Sequence, residues 1–156
     1  MRELPDSLLE LIRRTSTEIP ADVHQVIRSA LEQEKKGTIA GNAMKIIDQN
    51  IALAKNKSQP ICQDTGSILF YVDCPVGFDQ ITFADTARAA VTLATKKGYL
   101  RQNSVDSLTG KNDGTNVGPG APAFHFHQHR SPEVSMRLAL KGGWVRKRRR
   151  AIFTTD

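Results

Sequence analysis

Long apolar segments are missing from this sequence. No stretch reaches the roughly 20 residues that a membrane-spanning helix needs, and the N-terminal M-R-E-L-P-D lacks the apolar core of a secretory signal. Cysteine is also scarce, because Cys62 and Cys74 are the only two. Two thiols are too few for a disulfide framework and are typical of a reducing compartment. The sequence therefore predicts a cytoplasmic protein that does not enter a membrane.

Several motifs with well-defined chemistry are absent as well. Neither cysteine belongs to a C-x-x-C pair, so a metal cluster would need thiolates from distant parts of a chain. The glycine-rich segment 110–120 lacks the G-x-x-x-x-G-K-[ST] order of a phosphate-binding loop. We therefore do not expect a nucleotide site.

The basic charge is concentrated at one end. The net charge is +6, but residues 144–156 hold five of the 22 basic residues and one of the 16 acidic ones. The other residues carry 17 basic and 15 acidic side chains, a net charge of +2. The body of the chain is therefore not predicted to bind nucleic acid, although a tail that contacts RNA or a membrane stays open as an alternative.

The pattern of apolar residues predicts one α+β domain, with a helical N-terminal half packed on a mainly antiparallel sheet. Helical spacing predicts four helices, at 6–16, after Pro20, at 38–55 and, capped by Thr82, at 83–97. The apolar run at 67–73 predicts a buried strand. Alternation at 121–129 and 133–140, with a turn between, predicts an antiparallel hairpin.

Three histidines alternate along the first strand of that predicted hairpin. His125, His127 and His129 would share one face, while Phe124 and Phe126 would fill the other as core. Three imidazoles on one face could hold zinc, yet such a site usually needs a fourth ligand from elsewhere. We favour a solvated or interface face over a metal site.

The segment 59–66, Q-P-I-C-Q-D-T-G, is the most distinctive part of the chain. It presents a thiol, an amide and a carboxylate on a short loop before a predicted strand, which is a common construction for an active site. Cys62 could be a nucleophile, a metal ligand or a packing residue, and Asp64 could take or position a proton. Arg101, in a polar segment after the fourth helix, could bind a carboxylate through two hydrogen bonds.

These motifs together resemble a known family. P-I-C-Q-D-T-G at 60–66, L-R-Q-N-S-V-D at 100–106, G-K-N-D-G-T-N at 110–116 and L-K-G-G at 140–143 occur in the order found in class I, iron-sulfur-dependent fumarate hydratases. That family includes the tartrate dehydratase alpha subunits. The resemblance covers residues 20–143, and G-P-G-A-P-A-F-H-F favours fumarase over tartrate dehydratase.

The resemblance implies a role for each matching residue. Cys62 would be one of three thiolate ligands of a [4Fe-4S] cluster, whose open iron polarises the substrate hydroxyl. Gln63 and Asp64 would contact substrate, with Asp64 helping the general base. A substrate carboxylate would bind Arg101, and the backbone amides at 142–143, Gly142 and Gly143, would lie against the substrate. The reaction would be the reversible hydration of fumarate to malate.

The resemblance also implies missing parts. Two further cysteine ligands and other catalytic groups would come from a C-terminal catalytic part or a beta subunit, and the full-length enzyme would be a homo-oligomer. Residues 1–143 would be the N-terminal part of the alpha domain. Residues 144–156 depart from the family, and codons permitted for them give, after a one-base shift, a string beginning Gly-Cys-Glu-Asn-Glu, close to the expected continuation. We interpret them as a frameshift product, which sequencing of the gene would test.

Two readings outside this family stay open. One is a small binding module whose basic tail meets nucleic acid, for which deletion of 144–156 would abolish a salt-dependent affinity. The other is a redox protein in which Cys62 and Cys74 form a reversible disulfide.

Overall fold

The structure, a computed structural model, describes residues 3–106 and 108–142, and of residues 153–154 the backbone alone. The described elements, in chain order, are α1 (Leu4–Thr17), α2 (Ala21–Gln33), α3 (Ile39–Lys57), β1 (Ser67–Pro75), α4 (Gln80–Lys96), β2 (Ala123–His129), β3 (Ser135–Lys141) and β4 (Phe153–Thr154). Three helices precede the first strand, so the predicted α+β class is confirmed. In the same part of the chain, no helix has the length and apolar character to cross a bilayer.

The predicted hairpin is wrong, because its two strands do not pair with each other. The strand order is β2-β1-β3-β4, with β1 parallel to β2 and antiparallel to β3. The connection at 130–134 therefore crosses the end of β1, over two strand spacings of roughly 5 Å each. The alternation of apolar and polar residues predicted both strands correctly, but it carries no information about which strands pair with each other. The most apolar strand, β1, takes the central position, and two of the three strand pairs are antiparallel.

One face of the sheet forms the core. Along β1 the buried residues alternate with more exposed ones, and Phe70 is fully buried where it stacks on Phe124. Helices α1 and α4 pack against each other, and α1 also packs against β3. The side chains that close the core from these helices are Leu8, Leu11, Ile12, Phe83, Ala87, Ala90, Val91 and Ala94.

Helix α4 begins three residues earlier than predicted. Its cap is Asp79, whose carboxylate accepts hydrogen bonds from the Thr82 backbone N–H at 2.9 Å and from the Thr82 hydroxyl at 2.7 Å. These bonds lower the pKa of Asp79. Thr82 therefore lies inside the first turn, as a partner of the cap. An aspartate three residues upstream satisfies the same free N–H groups that a threonine cap would.

Helices α2 and α3 pack mainly on each other and leave much apolar surface exposed. No residue of α2 is buried, and α3 buries only Ile51 and Ala54. Apolar side chains of α3 are thus exposed, with Ile39 at 90% and Ile46 at 65% of full exposure.

Asp48 joins α2 to α3, and we expect that junction to be sensitive to acid. Its carboxylate bonds His24 Nε2 at 3.0 Å and accepts from Arg28 Nε at 3.4 Å, and these two partners, His24 first, lower the pKa of Asp48. A depressed carboxyl pKa stabilises the folded state above the ordinary value of about 4, and this contribution is lost as the pH falls through the folded pKa. At pH 6 we expect faster amide exchange across 21–57 in Asp48→Asn than in the wild type.

The comparison of the two proteins at each pH removes the intrinsic pH dependence of exchange. Their difference should shrink as the pH falls below about 4, where the wild-type carboxylate becomes protonated. An unchanged difference at pH 3 would show that the carboxylate charge does not hold the two helices together.

Candidate active site

The loop 62–66 joins α3 to β1 and is closed by its own hydrogen bonds. Helix α3 ends at Lys57 and is capped by Ser58, which has a positive φ of 50°. Asp64 Oδ1 accepts from the backbone N–H of Gly66 at 2.8 Å, a local turn typical of aspartate. The Cys62 thiol donates to the carbonyl of Asp64 at 3.0 Å. The carboxylate and the thiol are therefore fixed by one compact turn.

Gly66 brings this loop against the end of β3. Its φ is +67°, and a Cβ at this position would collide with the carbonyl group of Lys141 and lie 2.5 Å from the backbone N of Gly142. Only glycine allows this backbone contact and this dihedral together. As a result, Asp64 and Gly142, which are 78 positions apart, lie at one site.

The polar segment after α4 is joined to the same loop. The Thr65 hydroxyl accepts from the backbone N–H of Arg101 at 2.8 Å and donates to the Arg101 carbonyl at 3.0 Å. The Asn103 side chain accepts from the Thr65 N–H at 3.0 Å and donates to the Gln63 carbonyl at 3.2 Å. These four bonds hold the backbone of residue 101 beside that of residues 63–65.

Asn116, from the glycine-asparagine loop, supports that segment from behind. It is 1% exposed and has a positive φ of 57°. Its side-chain oxygen accepts from the backbone N–H groups of Asn103 and Ser104, both at 3.1 Å. Its nitrogen donates to the Arg101 carbonyl at 2.7 Å and to Thr95 Oγ1 at 3.1 Å. Every hydrogen-bonding position of this buried amide is thus filled.

These segments surround a cleft of about 410 Å³. Its lining residues include Asp64, Asn103, Asn116 and Lys141. The structure therefore provides a cleft of mixed character, whose lining residues include one acidic and one basic side chain.

The residues singled out from the sequence are placed in different ways around this cleft. Asp64 lines it, and Gly142 adjoins it through Gly66. Gln63 and Arg101 are tied to the site through their backbones, but their exposed side chains are not part of its lining. Within the described residues, the Arg101 guanidinium makes no hydrogen bond or ion pair. Gly143 and the tail 144–152 lie outside the described residues, as do 155–156.

The two cysteines have different environments. Cys62 is half-buried in the loop, whereas Cys74 is fully buried in the core, where desolvation raises the pKa of its thiol. Both are free thiols, and β1 alone separates Ser67 from Cys74 by about 23 Å. This placement supports Cys74 as a structural residue and gives no support to a Cys62–Cys74 redox pair.

The histidines occupy the sheet face that is opposite to the core, as predicted from their alternation. His125 and His127 are exposed, whereas Phe124 and Phe126 pack against the core. His125 stacks on Tyr71 with ring centroids 4.8 Å apart. Across residues 3–106 and 108–142, no three His, Cys, Asp or Glu side chains are grouped closely enough to hold a metal ion.

Sequence reasoning missed the residues that assemble the site. Thr65, Asn103 and Asn116 all lie in the quoted motifs, yet no role was predicted for them. One pattern could have indicated them: Thr and Asn side chains recur in these glycine-containing segments, and such short polar side chains tend to form hydrogen bonds with the backbone. Lys141 was missed because it is one of many lysines, and only the fold brings it to the cleft.

A family model and several known proteins are similar to this chain over most of its length. The model of the fumarate hydratase (Fumerase) family matches residues 6–151. A protein of Geobacillus stearothermophilus named as a class I fumarate hydratase is 45% identical over 143 residues, which are 92% of this chain and 28% of the relative. Two relatives named as L(+)-tartrate dehydratase alpha subunits are each 29% identical to this chain. The match to the protein of Methanocaldococcus jannaschii covers 90% of this chain and 50% of the relative. The match to the protein of Escherichia coli K12 covers 78% of this chain and 40% of the relative.

The chain thus spans between about a quarter and a half of the relatives that it matches. The family match runs from α1 through the Cys62 loop, the 101–104 segment and β3. Because this match covers well over half of the sequence, the chain belongs to the fumarate hydratase (Fumerase) family.

Proposed function

We propose that this chain supplies the first part of the active site of a [4Fe-4S]-dependent hydro-lyase that interconverts fumarate and malate by reversible hydration. The observation that carries the proposal is the convergence of the loop 62–66, the segment 101–104 and Gly142 on one cleft. These segments hold all the described residues that the family resemblance assigns to substrate or cluster.

The described residues fit one corner of the cluster. Cys62 is a half-buried thiol in a turn at the candidate site, which suits a thiolate ligand, whereas the buried Cys74 does not. The other two ligands must come from outside the described residues. When bound, the cluster supplies a Lewis acid for the substrate hydroxyl.

The chain's own residues would bind the diacid and move its proton. Asp64 would position or take the carbon-bound proton, because its carboxylate lines the cleft and is oriented by the Gly66 N–H. Arg101 would bind one substrate carboxylate, with Gln63 as a polar contact. The amides at Gly142 and Gly143 would face developing charge on the substrate.

Completion of the site requires a partner, which we propose to be a C-terminal catalytic part or a beta subunit. Two observations support this proposal. The relatives named as alpha subunits are by name parts of larger enzymes, and the α2–α3 pair exposes apolar side chains such as Ile39 and Ile46. We also propose that the full-length protein is a homo-oligomer. We propose a cytoplasmic location as well, and the two free thiols support that location.

The second candidate is a tartrate dehydratase alpha-type function, favoured by the tartrate dehydratase relatives. The higher identity to the relative named as a fumarate hydratase, 45% against 29%, places it second.

This chain alone is expected to hold no cluster and to hydrate no fumarate. Of its two cysteines, only Cys62 lies in the loop that leads to the cleft, although it is not part of the cleft lining, and one thiolate cannot hold a cubane. The measurement is absorbance near 400 nm after addition of iron and sulfide, followed by a fumarate hydration assay. Strong cluster absorbance together with turnover would contradict the prediction.

A chimera tests the proposed function itself. Residues 6–142 would replace the matching segment of the Geobacillus stearothermophilus relative. The reconstituted chimera should hydrate fumarate and prefer it to L-tartrate, and Cys62→Ser should abolish both cluster absorbance and turnover. The matched control is Cys74→Ser, which should leave the cluster intact. A folded, cluster-loaded chimera that turns over neither substrate would overturn the proposal.

A further inference from the structure

We propose that Asn103, backed by Asn116, is a positioning residue that sets the geometry of the Cys62–Gly66 loop relative to Arg101. This inference rests on the proposed function, because the loop and Arg101 hold its substrate-binding groups. It assigns a task to two residues for which the sequence predicted none.

The first argument is the pattern of bonds from the Asn103 side chain. Its two polar atoms bond the Thr65 N–H at 3.0 Å and the Gln63 carbonyl at 3.2 Å, as a backbone peptide of a neighbouring strand would. One exposed side chain therefore replaces a missing strand partner for the loop that carries the thiol and the carboxylate.

The second argument is that a buried residue, Asn116, holds Asn103 in place. Its backbone N–H donates to Asn116 Oδ1, and Asn116 is 1% exposed and also bonds Thr95 of α4. The chain of contacts thus runs from a rigid helix through Asn116 to Asn103, and from there to the loop. A buried, fully satisfied amide is costly to replace and gives such a network one geometry.

The third argument is the position of the network relative to the cleft. Asn103, Asn116 and Asp64 line the same cleft, while the Thr65 hydroxyl holds the backbone of Arg101. A shift of Asn103 would therefore move the Asp64 carboxylate relative to the backbone of Arg101. A misplacement of about 1 Å can cost on the order of 100-fold in rate.

The test compares the alkylation rates of the two cysteines in this chain by mass spectrometry after treatment with iodoacetamide. Asn103→Ala should raise the rate at Cys62 about fivefold, the factor that corresponds to the loss of roughly one net hydrogen bond from the closed loop. The rate at the core residue Cys74 should not change, because Asn103 is exposed and lies outside the core. Asn103→Asp keeps the acceptor for Thr65 and should give an intermediate rate.

The matched control is Asn112→Ala. Asn112 is also exposed and also makes two side-chain bonds, at 2.7 Å to the Gln102 carbonyl and at 2.7 Å from the Gly114 N–H, but it does not touch the loop. Its replacement should leave the Cys62 rate unchanged. An unchanged Cys62 rate in Asn103→Ala, or a parallel rise at Cys62 and Cys74, would overturn the proposal.

In the chimera, Asn103→Ala should raise KM for fumarate and lower kcat/KM at least tenfold, while cluster absorbance and Tm stay at the parent values. Kinetics equal to the parent's would overturn the positioning role. Failure of the parent chimera to turn over would count against the proposed function alone, because the alkylation rates still decide the role of Asn103 in this chain.

Discussion

Gly66→Ala is expected to lower the free energy of unfolding by about 3 kcal/mol, among the larger effects of a single methyl group. The added Cβ would collide with the carbonyl of Lys141 and lie 2.5 Å from the Gly142 nitrogen, and both groups are backbone that no rotamer change can move. Strain from the positive φ of 67° adds to that clash. Chemical denaturation of the wild type and the variant would measure the difference.

A second glycine separates the clash from the strain. Gly77 has a φ of +84°, but a Cβ there would meet nothing within 4 Å. Gly77→Ala should therefore cost only about 1 kcal/mol. Equal losses at the two positions would show that the contact between the loop and the end of β3 does not hold the site together.

Asp64→Asn in the chimera is expected to lower kcat by 100-fold or more, within the range of about 10² to 10⁴ typical of a general acid–base group. The replacement is isosteric, and its side-chain oxygen can still accept the bond from the Gly66 N–H that Asp64 accepts at 2.8 Å. The loop geometry should therefore survive while the base is lost. Steady-state kinetics with fumarate and with malate would measure the effect.

The control for charge alone is Asp85→Asn. Asp85 is exposed on α4, where it pairs with Arg88 at 2.9 Å and does not line the cleft. Its replacement should change kcat less than twofold, and both variants should show the parent's cluster absorbance. A kcat of Asp64→Asn within fivefold of the parent would remove Asp64 from proton transfer.

Sequence patterns predicted the elements of this fold better than their partners. The apolar spacing located α1, α2, α3 and β1 to within a few residues, because periodicity reports which side chains face a core. The same alternation located β2 and β3 but not their places on either side of β1, because a strand can bury its apolar face beside several partners. The cap of α4 was misplaced for a similar reason, since Asp79 and Thr82 are both good caps.

The exposed state of α2 and α3 marks another limit of pattern reasoning. A helical stripe that contains Ile39 and Ile46 predicts that something covers it, but not that the cover is part of the same chain. The structure places α2 and α3 on each other and leaves this stripe open.

The sequence by itself determined the family of this protein. A loop with a thiol, an amide and a carboxylate, together with an arginine and a glycine pair, names a family because side-chain identity and order are written directly in the chain. Tertiary structure alone decided which of these groups meet. Gly66 lies against Lys141 and Gly142 because β1 and β3 pair antiparallel and so bring their ends together. Asn103 bonds Thr65 because the segment after α4 lies beside the loop 62–66. Contacts between residues so far apart in sequence depend on tertiary packing, which local periodicity does not encode.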